Sequence, residues 1–171
     1  MASPREKVSS VDPIWTALRQ QAEAMAGREP TLAGFFHATI LQHDRLEQAL
    51  SYHLAHKLGG EDLSPLAIRE MFDDLVTADS GFGQAVRADL SAVFERDPAC
   101  HSYLDAFLFY KGFHALESWR VSHWLWHEGR KAMALFLQSR ISQLFAVDVH
   151  PAAKIGRGIM FDHATGIVIR S

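Results

Sequence analysis

The spacing of apolar and polar residues along the first 145 positions is that of amphipathic helices. Between positions 32 and 58, for example, large apolar residues fall on one stripe and charged residues lie opposite them. Prolines, capping residues and glycines mark where the helices begin and end. The predicted helices span residues 13–27, 31–58, 65–79, 82–95, 103–128 and 130–144. We therefore predict an all-helical domain over residues 12–146, preceded by a disordered N-terminus at residues 1–11.

The period of the sequence changes at Val147. A large apolar residue then recurs at every sixth position, at Val149, Ile155, Phe161 and Ile167. Neither a helix nor a strand repeats every six residues, whereas a parallel β-helix with three flat sides does, with about 18 residues in each coil. We expect residues 147–171 to form the first coil of such a β-helix and to stop inside it. The predicted fold class is mainly α, a helical domain followed by an incomplete β-helix.

The composition narrows the classes of function. The 171 residues are 48% hydrophobic and 22% charged, with a net charge of -3 at pH 7. A net negative charge argues against a basic surface that would bind nucleic acid or anionic lipid. The sequence also contains no stretch of about 18 uncharged apolar residues, which a membrane-spanning helix requires. A single cysteine, Cys100, excludes an intramolecular disulfide and fits a reducing compartment. We expect a cytoplasmic protein with no nucleic-acid or membrane partner.

Asp148 and His163 are the first candidates for chemistry. They lie 15 residues apart, so successive coils of a β-helix could bring them to neighbouring corners. An imidazole that is oriented by a carboxylate is a general base suited to removing a proton from a hydroxyl. An alternative stays open, in which Asp148 caps the turn into the coil and Asp162 and His163 are ordinary corner residues.

Two pairs of histidines have the spacing of one helix turn. His123 and His127 could bind a metal, but Trp124 occupies the position at which zinc proteases carry their glutamate. His53 and His56 have no third ligand nearby in the sequence, so we predict that they are solvated. We therefore predict no metal site.

Structural roles account for several other conspicuous residues. Lys111 and Arg120 flank an apolar helix, and we expect them to be solvated or paired across a subunit seam rather than to contact substrate. Gly156 and Gly158 do not precede the Lys-Ser/Thr pair of a phosphate-binding loop, so tight corners of the coil explain them better. Cys100 has no partner in the sequence that would activate its thiolate, which argues against a covalent relay.

The tract from Asp148 to Ile169, which contains Asp-His-Ala-Thr-Gly at positions 162–166, resembles the start of the left-handed β-helix of the serine O-acetyltransferases. Residues 96–99, which read Arg-Asp-Pro-Ala, and residues 111–126 resemble the helical domain of the same enzymes. The likeness extends over residues 14–169. Hexapeptide repeats alone do not identify a family. The Asp-His-Ala-Thr-Gly motif together with that helical tract is highly specific for the serine O-acetyltransferases.

The resemblance implies transfer of an acetyl group from acetyl-CoA to the hydroxyl of L-serine, giving O-acetyl-L-serine for cysteine biosynthesis. It implies His163 as the base on the serine hydroxyl, Asp148 as the orienting partner of that base, and Asp97 and Asp162 as contacts to serine. Two carboxylates beside one base suit a zwitterionic amino acid, whose ammonium group needs a negative partner. Acetyl-CoA is a co-substrate, and no permanently bound cofactor is expected.

The same resemblance implies a homo-oligomer, a trimer or a dimer of trimers, with active sites between neighbouring subunits. Members of the family continue for several more coils, which supply the acetyl-CoA cleft, and they end in a tail that binds cysteine synthase. We expect this chain to lack both and to hold half of a site. Two alternatives remain: a non-catalytic oligomerisation module of the same family, and a hexapeptide acyltransferase with a different acceptor hydroxyl.

Overall fold

The computed structural model describes residues 11–171, and the predicted disordered segment lies outside the described residues except for Val11. The helices are α1 (Pro13–Arg28), α2 (Ala33–Phe36), α3 (Leu46–Leu58), α4 (Pro65–Ala78), α5 (Phe82–Arg96), α6 (Tyr103–Phe109), α7 (Lys111–His127) and α8 (Lys131–Phe145). The strands are β1 (Val147–Val149) and β2 (Ile167–Ile169). The predicted fold class is confirmed, because the described chain is mainly helical and ends in one coil of a parallel β-helix.

Side-chain caps start the helices where the sequence indicates. The Asp12 carboxylate accepts a hydrogen bond from the Trp15 amide (3.2 Å), and a proline follows at the first helical position of α1. Ser64 caps α4 in the same way, with its hydroxyl oxygen 3.2 Å from the Ala67 amide. These contacts satisfy amide groups that have no partner inside the helix.

The helix predicted over residues 31–58 is wrong, because the chain breaks at residues 42–45. A 3₁₀ turn (Pro30–Leu32), α2 and a π-helical turn (His37–Leu41) precede the break, and α3 follows it. Side chains of α1 bind the carbonyls that a continuous helix would use. Arg19 donates to the Leu41 and His43 carbonyls (3.1 and 2.7 Å), and the Trp15 indole donates to the Asp44 carbonyl (2.9 Å).

The helix predicted over residues 103–128 is also interrupted, at Tyr110, whose backbone is extended (φ -91°, ψ 108°). Two buried histidines bind the carbonyls at the end of α6: His53 donates to Leu108 (3.1 Å) and His114 donates to Phe107 (2.8 Å). His53 is 5% exposed, so the prediction that it is solvated is wrong. Burial lowers the pKa of His53 to about 4 and that of His114 to about 3, which keeps both rings neutral.

The coil begins directly after α8. Ala146 adopts a left-handed conformation (φ 56°) that ends the helix, and β1 then runs parallel to β2. The register pairs Val147 with Ile167 and Val149 with Ile169, so one full turn of the coil contains 20 residues. The predicted 18-residue coil would have stacked Ile167 on Val149, and that expectation is wrong.

The loop between Phe161 and β2 has an unusual backbone. His163 (φ 50°), Ala164 (φ 63°) and Gly166 (φ 83°) all have left-handed backbone, and Ala164 is buried while the His163 side chain is exposed. The Gly166 amide donates to the Ala146 carbonyl (2.9 Å) and fastens the end of the loop to the end of α8.

Side chains of helix α7 hold the coil against the helical domain. The Trp119 indole donates to the His150 carbonyl (3.1 Å), and the His123 ring donates to the Pro151 carbonyl (2.7 Å). Apolar side chains of β1 join the same core as the helices, with Val147 fully buried and Val149 3% exposed. Among residues 11–171, no helix combines the length and apolarity that crossing a bilayer requires.

Candidate active site

A cavity of about 310 Å³ lies where α5, the α6–α7 junction and the coil meet. Asp97 follows the end of α5, Tyr110 and Lys111 form the junction of α6 and α7, and Asp162 and His163 come from the coil. Three of the four residues expected to act in the site therefore line one cavity. The wall also includes the aromatic rings of Phe109, Phe113 and Phe161.

Asp97 is positioned by the break that ends α5. Its carboxylate accepts a hydrogen bond from the Ala99 amide (2.8 Å), and its carbonyl accepts one from the Cys100 amide (3.0 Å). Pro98 prevents the helix from continuing through Asp97. The carboxylate is half-buried, and it is held on a short turn at the edge of the cavity.

His163 stands at the mouth of the cavity. Its side chain is 95% exposed, and its Nε2 atom lies 3.8 Å from the Asp162 Oδ1 atom. The left-handed conformations of His163 and Ala164 are costly for residues that carry a Cβ atom, and such strain clusters at functional sites. An exposed imidazole beside a carboxylate is free to accept a proton from a small molecule bound in the cavity.

The start of α7 presses against the coil beside the cavity. A Cβ atom added to Gly112 would overlap the carbonyl oxygen of Phe161, so glycine is required there. The Lys111 ammonium donates to the Thr165 hydroxyl, within the loop that carries His163. We did not predict either contact, and the sequence signal for them was a glycine inside an otherwise apolar helix.

Asp148 lies in another place. Its Oδ1 atom accepts a hydrogen bond from Gln138 Nε2 (2.7 Å), and it lines a second cavity together with His150 and Val168. Within this single protomer, the structure does not bring the Asp148 carboxylate to the His163 ring. The pairing of these two residues therefore stays a prediction.

The remaining candidate residues have internal partners. Arg120 forms an ion pair with Asp89 and lies 3.3 Å from a carboxyl oxygen of Glu117, both in the same chain, so the expectation that it is solvated or pairs across a subunit seam is wrong. Cys100 is buried, and burial raises the pKa of its thiol, which makes a thiolate less available. Among the described residues, no group of three or more His, Cys, Asp or Glu side chains is arranged to hold a metal ion.

The fold and the site together define a class of protein. A helical domain leads into one coil of a parallel β-helix, and an imidazole and two carboxylates line a cavity at the junction. The family model for the N-terminal domain of serine acetyltransferase matches residues 14–118. The chain belongs to the serine acetyltransferase family.

Relatives and solved structures agree with this assignment. The chain is 50% identical over 156 residues to the serine acetyltransferase of Salmonella typhimurium, an alignment that covers 91% of this chain and 57% of that protein. It is 51% identical to serine acetyltransferase 2 of Arabidopsis thaliana, covering 92% of this chain and 49% of the relative. The chain therefore spans about half the length of the curated relatives it matches.

Two crystal structures are also similar to the fold. Serine acetyltransferase from Brucella abortus in complex with coenzyme A has a TM-score of 0.93 and 42% sequence identity, covering 95% of this chain and 65% of that chain. Serine acetyltransferase from Neisseria gonorrhoeae in complex with serine has a TM-score of 0.90 and 43% identity, covering 96% and 68% respectively.

Proposed function

We propose that this protein acts in the transfer of an acetyl group from acetyl-CoA to the hydroxyl of L-serine, giving O-acetyl-L-serine for cysteine biosynthesis. The observation that carries the proposal is the cavity that Asp97, Asp162 and His163 share. Membership of the serine acetyltransferase family supports it. So do the related proteins crystallised with serine and with coenzyme A.

The two aspartates would bind the amino group of serine. Asp97 belongs to the helical domain and Asp162 to the coil, so an ammonium group between them would receive charge-assisted hydrogen bonds from both sides. Asp162 is largely exposed (64%), so the carboxylate of the coil is open to a ligand that arrives from solvent. Binding at the ammonium end would leave the serine hydroxyl near the imidazole of His163.

His163 would act as the general base. Its imidazole takes the hydroxyl proton while the serine oxygen bonds to the carbonyl carbon of acetyl-CoA. The thioester C–S bond then breaks, and the sulfur of the leaving CoA takes up the proton from the imidazolium. The enzyme contributes proximity and proton transfer, and no covalent acetyl-enzyme is needed. The buried thiol of Cys100, whose pKa is raised, is consistent with direct attack.

Asp148 would orient the base across a subunit boundary. In β1 its side chain lies between the buried Val147 and Val149 in sequence, and it is directed out of the core toward Gln138. A neighbouring copy in a trimer could present its His163 to this carboxylate. We therefore propose a homo-oligomer whose sites lie between subunits, with acetyl-CoA as co-substrate and cysteine synthase as a partner protein. The single buried, free cysteine is compatible with a cytoplasmic location.

The decisive experiment measures release of the CoA thiol from acetyl-CoA. The sample is this chain extended by the C-terminal part of the Salmonella relative, because the chain spans 57% of that protein. We expect turnover that requires L-serine and falls by at least about 100-fold in His163→Asn. A His163→Asn variant as fast as the parent would contradict the assignment of the base.

Two controls separate the alternatives. Threonine and a sugar with a free hydroxyl test whether another acceptor is preferred, and equal rates with these acceptors would overturn serine as the substrate. The unextended chain tests the oligomerisation-module alternative. Three results together would show that the helical domain serves only assembly: this chain binds no serine, the extended chain still assembles, and acetyl transfer by the extended chain does not depend on His163. The proposal would then fail.

A further inference from the structure

Two carboxyl groups and one guanidinium are buried together at the seam between α5, α7 and the coil. Asp89 of α5 and Glu117 of α7 are each 0% exposed, and the side chain of Arg120 is 11% exposed. Arg120 Nη2 donates to Asp89 Oδ2 at 2.6 Å, and Arg120 Nε lies 3.3 Å from Glu117 Oε2. The proposed chemistry uses none of these residues.

The cluster holds the coil by its backbone. Asp89 Oδ1 accepts a hydrogen bond from the Ile159 amide (2.9 Å), and Arg120 Nη2 donates to the Gly156 carbonyl (2.8 Å). Arg96, at the end of α5, donates to the Gly158 carbonyl (3.0 Å). In the part of the chain that the structure describes, residues 154–161 make no backbone-to-backbone hydrogen bond. Side chains of the helical domain therefore determine where this segment lies.

The charges of the cluster balance when one carboxyl group carries a proton. Two buried carboxylates facing one guanidinium would leave an uncompensated negative charge, which is costly in a dry interior. Neither oxygen of Glu117 accepts a hydrogen bond from the protein. A protonated Glu117 solves both problems, because its O–H group can donate to the Asp89 carboxylate. Burial and the neighbouring Asp89 raise the pKa of Glu117 well above its usual value, in the direction this assignment requires.

The position of the clamped segment links it to the site. Ile159 precedes Asp162 by three residues and His163 by four, and Met160 and Phe161 between them line the site cavity. A displacement of the Ile159 amide would therefore move the His163 imidazole and the Asp162 carboxylate relative to Asp97, which is held at the end of α5. The clamp therefore links the part of the site on the coil to the part on the helical domain, without contacting a molecule bound in the cavity.

We propose that Asp89, Arg120 and a neutral, hydrogen-bond-donating Glu117 form a buried clamp that positions the Asp162–His163 loop against the helical domain. Its role as a positioning device for the site rests on the proposed function, whereas the clamp itself does not. Glu117 supplies a donor in this arrangement rather than a charge. A glutamine, which is neutral and has the same shape, should therefore replace it, and a valine should not.

Hydrogen exchange and infrared spectroscopy test the clamp without any assay of activity. The 171-residue protein should show the carbonyl band of a buried protonated carboxylic acid at neutral pH, and Glu117→Gln should remove that band. Exchange of the Ile159 amide should keep its rate in Glu117→Gln and rise about tenfold or more in Asp89→Asn, which weakens the charged acceptor. Absence of the band, or an unchanged exchange rate in Asp89→Asn, would overturn the clamp.

The position of the His163 ring can be followed by its NMR resonances in folded variants of the clamp. The imidazole resonances of His163 should shift in Glu117→Val and return to their parent positions in Glu117→Gln, with circular dichroism verifying that the helices persist. If Glu117→Val does not fold, Asp89→Asn supplies the same comparison. Unmoved resonances in folded Asp89→Asn would contradict positioning. His163→Asn should leave Ile159 exchange unchanged, so loss of the proposed reaction and loss of the clamp give different results.

Discussion

The helical domain and the coil are stabilised in different ways. In the helical domain, apolar faces pack on all sides, and Leu18, Phe72 and Trp119 are each at most 1% exposed. In the coil, Val147 of β1 is buried, whereas Val168 of the neighbouring strand is 64% exposed. The helical domain has a core of its own, while the coil depends on one face of that core.

The proposed site lies on the boundary between these two regions. Asp97 is fixed by the end of a helix, and His163 is carried by a strained loop of the coil. Changes inside the helical domain should therefore affect stability, and changes at the boundary should affect the geometry of the site. Acid and single substitutions that act on one region at a time test that difference.

Acid should destabilise the helical domain through His53 and His114. Burial lowers their pKa values to about 4 and about 3, whereas both rings titrate near 6.5 in the unfolded chain. Between these values the unfolded state binds more protons, so the free energy of unfolding should fall as pH drops below about 6.5. We expect each histidine to contribute a loss on the order of 3 kcal/mol by pH 4, measured by urea unfolding.

Substitution of one histidine should separate this effect from other titrations. His53→Gln keeps a donor for the Leu108 carbonyl but cannot titrate, so its stability should depend less steeply on pH between 6.5 and 4. His56→Gln is the matched control, since His56 is exposed on the same helix. Identical pH dependence in His53→Gln and the parent would show that the buried ring does not drive the acid sensitivity.

Gly112→Ala should disturb the boundary. The new methyl group would overlap the Phe161 carbonyl oxygen, and because both partners are backbone or directly attached to it, one element must move. We expect a destabilisation of about 2 kcal/mol in urea unfolding. Gly156→Ala in the coil is the control, because no atom lies within 4 Å of the added Cβ and its effect should stay below about 0.5 kcal/mol. Equal effects of the two substitutions would refute the close approach.

Ala146→Gly should stabilise the junction between α8 and the coil. Ala146 is exposed and has a left-handed backbone (φ 56°), which glycine adopts without steric cost. We expect a stabilisation of about 1 kcal/mol, which is smaller than the steric cost because glycine also gains entropy in the unfolded chain. Differential calorimetry measures it as a higher Tm. A lower Tm would mean that this left-handed turn is not the stable form of the junction.

Local signals in the sequence predicted the starts of the helices well. Asp12 and Ser64 cap α1 and α4 through contacts that involve residues three positions away. The breaks at residues 42–45 and at Tyr110 could not be predicted, because Arg19 and His53, which help to produce them, lie 22 and 55 residues from Leu41 and Leu108, the carbonyls they bind. Contacts so distant in sequence leave no mark on the local pattern of apolar residues.

The coil and the site show the same division. The six-residue period predicted the coil, but not that one turn of it takes 20 residues, because the apolar residues keep their spacing of six as far as Ile167. The grouping of Asp97 with Asp162 and His163 came from the family resemblance, since 65 residues separate Asp97 from Asp162. The buried proton that we assign to Glu117 depends on its surroundings in three dimensions, and the sequence shows an ordinary glutamate.

Serine binding to the 171-residue chain, followed through the imidazole resonances of His163, tests the central claim most directly. We expect L-serine to shift these resonances in a saturable way, and N-acetylserine, which lacks the ammonium group, to leave them unmoved. The shift should vanish in Asp97→Asn, a substitution in the other region of the molecule. Absence of a shift with L-serine, or its persistence in Asp97→Asn, would contradict a site built jointly by the helical domain and the coil.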